Sequence, residues 1–166
     1  MCVGREIERI LSKALLGLEG ELKGDYYPLA HSTSYIPKPG GMSMAEEQAM
    51  RADNLLFKEP ELPALLASGM GRNWPDGRGI FANEAKNFLV WANAEDHTRM
   101  ISIEMGSDIK AVFERFVLGV GTVEELLKKE GYEFMHNGHL GYIAVDPANL
   151  GEHVRSRVSV HHRGDI

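Results

Sequence analysis

Apolar and polar residues follow one another in blocks near the middle of the chain. Residues 88–92 form a dense apolar run, F-L-V-W-A, and residues 100–103 form a second, M-I-S-I. The polar patch N-A-E-D-H of residues 93–97 lies between them. Two apolar runs joined in this way predict a β-hairpin or two adjacent strands. We then expect functional groups at the end of a rigid sheet, where they are common, although an ordinary solvated turn is the alternative. These candidates are Glu95, Asp96, His97 and Arg99.

Two amphipathic segments precede this hairpin. Residues 5–18 place apolar side chains at helical spacing, which predicts a helix that ends near Gly17 or Gly20. Residues 19–42 are punctuated by glycines and prolines and predict a long loop without regular structure. The sequence S-M-A-E at 43–46 is typical of a capping box and predicts a short helix that ends at about residue 54.

The second half of the chain predicts further helices and strands. Residues 109–117 form a helical apolar face, and a second capping box at 122–125 predicts a separate helix that continues to about residue 129. Gly131 is placed to end that helix. Residues 140–145 and 154–160 are typical of strands, the second with a basic outer row. Because these elements do not alternate regularly, we predict an α+β fold with a mainly antiparallel sheet flanked by helices.

Composition narrows the class of protein. The chain has 166 residues, is 43% hydrophobic and carries 18 basic against 24 acidic side chains, a formal net charge of −6. This balance argues against nucleic acid as a partner, and no run is long enough to span a membrane. With a single cysteine and no secretory signal, we expect a cytoplasmic protein. The histidines, including His136 and His139, are too loosely spaced to predict a metal site.

Several motifs together resemble one family. The motif N-A-E-D-H-T-R at 93–99 resembles N-E-E-D-H-x-R of the phosphagen kinases, the ATP:guanidino phosphotransferases that include creatine and arginine kinase. The blocks at 18–29, 65–80, 134–142 and 147–151 are also similar to this family, most of all to creatine kinase, and stand in the family's order. The resemblance implies that residues 1–166 are a partial, incomplete catalytic domain with a glutamine synthetase-like antiparallel sheet.

The resemblance also implies an activity and its residues. A phosphagen kinase transfers the γ-phosphoryl group of ATP to a guanidino compound, so MgATP or MgADP and a guanidine are the expected small-molecule partners. Glu95 matches the carboxylate that contacts the guanidine. Arg99 and Arg155 match phosphate-binding arginines, and Arg157 lies in the same basic row. Arginine suits this role because its planar fork binds phosphate oxygens bidentately.

Four positions depart from the family's pattern. Asp146 stands where the family has a reactive cysteine, which keeps a negative charge but changes length and hydration. Ala82 and Ser159 replace two histidines of the nucleoside pocket, and Ala94 replaces the first glutamate of N-E-E-D-H. Segments with further phosphate-binding arginines are absent from the 166 residues. The alternative is therefore a non-catalytic member that acts as a nucleotide-binding or protein-interaction module, with strand edges that favour a homo-oligomer.

Overall fold

The computed structural model describes residues 3–61, 63–67, 69–144 and 150–151. The chain divides into two compact units, residues 1–133 and residues 134–166. The first unit contains four α-helices, one short 3-10 helix and four strands among its described residues. In chain order these are α1 (Val3–Leu15), the 3-10 helix Gly20–Leu22, β1 (Gly24–Pro28), α2 (Met44–Ala52), α3 (Pro63–Ala67), β2 (Gly79–Asn83), β3 (Phe88–Ala92), β4 (Thr98–Ser102) and α4 (Ile109–Lys129).

The four strands form one antiparallel sheet in the order β1-β2-β3-β4. Strands that are neighbours in the sheet are also consecutive strands in the sequence, and the registers align so that rows of paired residues cross all four strands. One row runs through Tyr27, Ile80, Trp91 and Arg99. Successive side chains of a strand point to opposite faces, so this row defines one face and the neighbouring row of residues defines the other. The sheet with its flanking helices confirms the predicted α+β fold.

Helices α1 and α4 cover the face opposite to that row. Tyr26 and Phe81 are paired across β1 and β2 on this face, and both are buried. Phe88 reaches α4 at Gly119, where an added Cβ would lie 2.4 Å from the phenyl ring. Glycine therefore permits the close approach of helix and sheet. Apolar residues of both helices complete this part of the core, among them Ile10, Leu11, Ala14, Leu15, Val123 and Leu127.

A second apolar cluster covers part of the other face, which carries Arg99. Ile80, Ala82 and Leu89 of the sheet pack there against residues of α2 and its flanking segments. Those covering residues are Leu29, Met42, Met50, Leu55 and Phe57. Helix α2 begins as predicted, because Ser43 and Glu46 form a reciprocal capping box.

The prediction of an irregular loop over residues 19–42 was wrong for its first part. Residues 20–22 form a 3-10 helix, and Gly24–Pro28 is strand β1. Pro28 is tolerated there because β1 lies at the edge of the sheet and the proline ends the strand. Strand β2 was also not anticipated, because its residues follow directly on a glycine-rich stretch. Both strands are stabilised by pairing with each other, which local sequence does not report.

The prediction of a separate helix that begins at the second capping box was also wrong. Residues 109–129 form one continuous helix, and the Thr122 hydroxyl donates to the Leu118 carbonyl at 2.8 Å instead of capping a new helix. Gly131 does end the helix, with φ of 84°. The predicted apolar face is only partly covered, since Phe113 is 57% exposed and Val117 is 52% exposed. Helix α1 ends at Leu15, three residues before the predicted end.

The second unit contains a short hairpin, β5 (His136–Asn137) and β6 (Gly141–Tyr142). The Asn137 side chain accepts backbone N–H groups of His139 and Leu140, which fixes the turn. His136 packs edge-on against the ring of Tyr142. The strand predicted over 140–145 is therefore present only as β6, while residue 145 and the strand predicted over 154–160 lie outside the described residues. Within the described part of the chain, no helix has the length and apolar content needed to cross a membrane.

Candidate functional site

The two predicted site residues of the first unit lie side by side. Arg99 is on β4 opposite Trp91, and Glu95 is in the connection between β3 and β4. Arg99 Nη1 donates to Glu95 Oε2 at 3.4 Å. The two side chains keep 48% and 42% of their surface exposed. The sheet thus brings a guanidinium and a carboxylate together at a solvent-accessible position, and the roles assigned to them from the motif stay predictions.

Trp91 forms the floor under this pair. The Arg99 guanidinium carbon lies 5.3 Å from the centroid of the Trp91 ring, a cation–π distance. The indole N–H donates to the Leu55 carbonyl at 3.0 Å, and Phe57 packs against the same ring at 5.3 Å. Because the indole is held from two sides, it presents a fixed apolar surface to any ligand at Glu95. Sequence reasoning placed Trp91 only in a buried strand and missed this role.

A cleft of about 310 Å³ opens beside Trp91 and Glu95. Its apolar lining comes from Phe57, Pro60, Met70, Trp91 and Ala94. Its charged lining comes from the carboxylates of Glu59, Glu61 and Glu95 and from one ammonium group, that of Lys58. Three acidic groups against one basic group favour a cationic ligand, and a flat cation also suits an indole surface.

Arg78 stabilises the loop of residues 70–76, which borders this cleft at Met70. Its guanidinium donates to the carbonyls of Met70, Arg72 and Asp76, and it stacks on Trp74 at 4.9 Å. The side chain is buried, with 7% exposed. Its position close to the cleft lining at Met70 makes it part of the support of the site. The sequence showed only a stretch rich in glycine and arginine, so this role was missed.

Two substituted motif positions lie on the covered part of the same face. Ala82 is 5% exposed and packs in the apolar cluster with Met42 and Met50. Ala94 is also 5% exposed and lines the cleft next to Glu95. Residue 82 therefore shares a sheet face with Arg99, and its assignment to a nucleoside pocket stays a prediction. The connection offers one motif glutamate where the family's pattern has two.

The remaining predicted positions are Asp146, Arg155, Arg157 and Ser159, and all four lie outside the described residues. Their assigned roles stay predictions. In the portion of the chain that the structure describes, no three or more His, Cys, Asp or Glu side chains cluster as a metal site would require.

The antiparallel sheet, with its arginine and glutamate beside an aromatic floor, agrees with a phosphotransferase domain. The sequence matches the family described as ATP:guanido phosphotransferase, C-terminal catalytic domain, over residues 6–163. The chain therefore belongs to the ATP:guanido phosphotransferase family. This confirms the resemblance drawn from its motifs.

Within this family, the chain is similar in sequence to creatine kinases. It is 47% identical to human creatine kinase M-type over 156 residues, which are 94% of this chain and 38% of the relative. It is 48% identical to flagellar creatine kinase of Strongylocentrotus purpuratus over 93% of this chain and 12% of the relative. The chain thus spans well under half the length of these relatives.

Solved structures show the same fold. The crystal structure of lombricine kinase matches with a TM-score of 0.79 and 44% identity, over 89% of this chain and 38% of that chain. The substrate-free duplicated taurocyamine kinase of Schistosoma mansoni matches with a TM-score of 0.74 and 37% identity, over 89% of this chain and 19% of that chain.

Proposed function

We propose that this chain transfers the γ-phosphoryl group of MgATP to a guanidino compound. The observation that carries the proposal is the contact of Arg99 with both Glu95 and the Trp91 ring, the last two of which line one cleft. Such a reaction requires neutralisation of phosphate charge and alignment of the two reactants. Arg99 supplies the first requirement and Glu95 the second. Three further residues are proposed to complete the site: Arg155, which matches the family's pattern, Arg157 in the same basic row, and Asp146 at the position of the family's cysteine.

In the proposed reaction a guanidino nitrogen attacks the γ-phosphorus in line with the leaving ADP. A nitrogen–phosphorus bond forms, the bond from the γ-phosphorus to the bridging oxygen breaks and leaves ADP, and the nitrogen releases a proton to water. Glu95 pairs with the guanidinium and directs one nitrogen to the phosphorus. Arg99 binds phosphate oxygens, whose charge it offsets during transfer. Magnesium would enter as part of the nucleotide substrate and would offset phosphate charge.

The Arg99–Glu95 pair gives a physical picture of the substrate-free site. In it, the carboxylate already pairs with a guanidinium, which is the same group that the substrate would present. An exposed pair of this kind contributes only about 0–1 kcal/mol, so a nucleotide phosphate can draw Arg99 away at small cost. Glu95 is then free to accept the substrate guanidinium. The acidic lining of the cleft supports the same ligand charge.

The experiment compares two glutamates that each pair with an arginine four residues further on. Glu95 pairs with Arg99, and Glu47 pairs with Arg51 on α2, away from the cleft. We expect guanidine-dependent ADP release from MgATP, measured with creatine, arginine, lombricine and taurocyamine. Glu95→Gln should lower that rate by about 100-fold, because alignment by the charged carboxylate is lost. Glu47→Gln should leave it unchanged. No guanidine-dependent release from the wild-type chain contradicts the proposal.

The identity of the guanidine is the next question that the panel answers. The relatives include kinases named for creatine, lombricine and taurocyamine, which makes these compounds the first candidates. A cytoplasmic location and self-association of the chain also stay predictions from the sequence. Fractionation of cells and light scattering over a concentration series test them.

A further inference from the structure

Two hydrogen bonds join the ends of the connection that carries Glu95. The backbone N–H of Asn93 donates to the His97 carbonyl at 3.0 Å. The side chains of the same two residues also meet, with His97 Nδ1 2.9 Å from Asn93 Oδ1. Asn93 has φ of 53°, a left-handed conformation that asparagine tolerates better than most residues. Glu95 is therefore at the middle of a five-residue loop whose ends are tied together.

The Asn93 amide ties this loop to the rest of the unit. Its Nδ2 group donates to the Gly4 carbonyl at 2.9 Å and to the Gly77 carbonyl at 2.5 Å. Both amide hydrogens are thereby used on acceptors. The orientation of the amide follows, since Oδ1 must face His97. His97 consequently donates from Nδ1, which fixes its tautomer in the neutral ring.

The two carbonyls that Asn93 binds are themselves held in place. Gly77 lies against α1 so closely that an added Cβ would be 2.9 Å from the Gly4 carbonyl carbon. The Gly77 N–H donates to Ser34 Oγ at 2.7 Å, and Ser34 donates to the buried Glu8 carboxylate at 2.6 Å. A chain of hydrogen bonds thus connects the core beneath α1 with the loop of residues 93–97 that carries Glu95.

The two site residues are positioned by different devices. Arg99 is part of β4, so the sheet register opposite Trp91 fixes its backbone. Glu95 is outside the strands, and its loop is fixed by Asn93 and His97. Loss of the His97 contact should therefore displace the carboxylate and leave the arginine in place. A general loss of stability would affect both.

We propose that Asn93 and His97 are positioning residues that hold the Glu95 carboxylate in the geometry needed to align a guanidino substrate. This inference rests on the function proposed above. Neither residue touches the reacting atoms in it, because each acts through the loop that carries Glu95.

The test uses three substitutions of His97 in the full chain. The side-chain nitrogen of asparagine reaches the place of imidazole Nδ1, whereas that of glutamine reaches the place of Nε2. His97→Asn should therefore keep the hydrogen bond to Asn93 Oδ1, and His97→Gln and His97→Leu should lose it. Each variant is titrated calorimetrically with MgADP, and then with creatine, arginine, lombricine and taurocyamine in the presence of MgADP.

We expect wild type and His97→Asn to bind the same guanidine with similar affinity. His97→Gln and His97→Leu should bind it about 10- to 100-fold more weakly, with MgADP affinity changed by less than about twofold. Equal guanidine affinity in all four proteins overturns the positioning role alone. Guanidine binding by none of them, wild type included, overturns the proposed function and the positioning role with it.

A variant that fails to fold is recognised by loss of MgADP binding, and the remaining substitutions then decide the question. If His97→Leu unfolds, the contrast between His97→Asn and His97→Gln still distinguishes the effect of the hydrogen bond to Asn93 Oδ1 from the effect of side-chain volume. Equal weakening of guanidine and MgADP in His97→Gln overturns the proposal, because it indicates a general structural role. The neutral Nδ1–H tautomer is also read directly from nitrogen–proton correlations of the imidazole, and the Nε2–H tautomer in the free protein contradicts the hydrogen-bond assignment.

Discussion

Removal of the Arg99 guanidinium should weaken nucleotide binding by an amount that the geometry bounds. A hydrogen bond to a charged group contributes about 1.5–3 kcal/mol. To reach phosphate, Arg99 gives up its contact with Glu95, an exposed pair at 3.4 Å that contributes about 0–1 kcal/mol. The difference is about 0.5–3 kcal/mol, so Arg99→Ala should raise the Kd for MgADP by about 2- to 150-fold.

The matched control for this substitution is Arg51→Ala. Arg51 also pairs with a glutamate on its own segment, at 2.7 Å from Glu47, and is exposed to a similar degree. Both variants remove one positive charge, so they share any long-range effect on an anionic ligand. Isothermal titration calorimetry with MgADP measures the contrast, and repetition at higher salt separates close contacts from screened ones. Equal affinities of the Arg99 and Arg51 variants would refute the assignment of Arg99 to the phosphates.

Two further predictions concern the fold that holds the site. The Cβ added by Gly119→Ala would lie 2.4 Å from the buried Phe88 ring. Because this overpacking outweighs the gain in helix propensity, the substitution should lower the free energy of unfolding by about 1–2 kcal/mol. Gly121→Ala on the same helix has nothing within 4 Å and should raise it by about 1 kcal/mol; urea denaturation measures both, and equal effects would contradict this packing. Burial raises the pKa of Glu8 above its ordinary 4.5. The contribution of the protonated Glu8 side chain to stability is therefore present at low pH and is lost as pH rises through the folded-state pKa. Glu8→Gln should therefore become more stable relative to wild type from about pH 4 to about pH 8, and a constant difference over that range would refute it.

The elements with strong local signals were predictable from sequence. The hairpin of β3 and β4 follows from two apolar runs around a polar patch, and the start of α2 follows from a complete capping box at Ser43. Glu95 and Arg99 could be chosen as candidates because a contiguous motif carries both. Their contact follows from a short connection between paired strands, which needs little knowledge of the rest of the chain.

The features that were missed depend on distant partners. Strand β1 is rich in turn-forming residues, and its stability comes from pairing with β2 more than fifty residues later. The Thr122 capping signal is overridden because α4 continues through it. Asn93 binds carbonyls at Gly4 and Gly77, and Arg78 binds carbonyls in a loop without regular structure. No local pattern specifies contacts of this kind, so the support of the site became visible only in three dimensions.

Phosphorus NMR of the chain with MgATP and each of the four guanidines tests the central claim most directly. The method identifies the product, which ADP release alone does not. The account predicts a new signal from an N-phosphorylated guanidine, formed by wild type and strongly reduced in Glu95→Gln and Arg99→Ala. Unchanged MgATP, or release of inorganic phosphate without any phosphoguanidine, would contradict it.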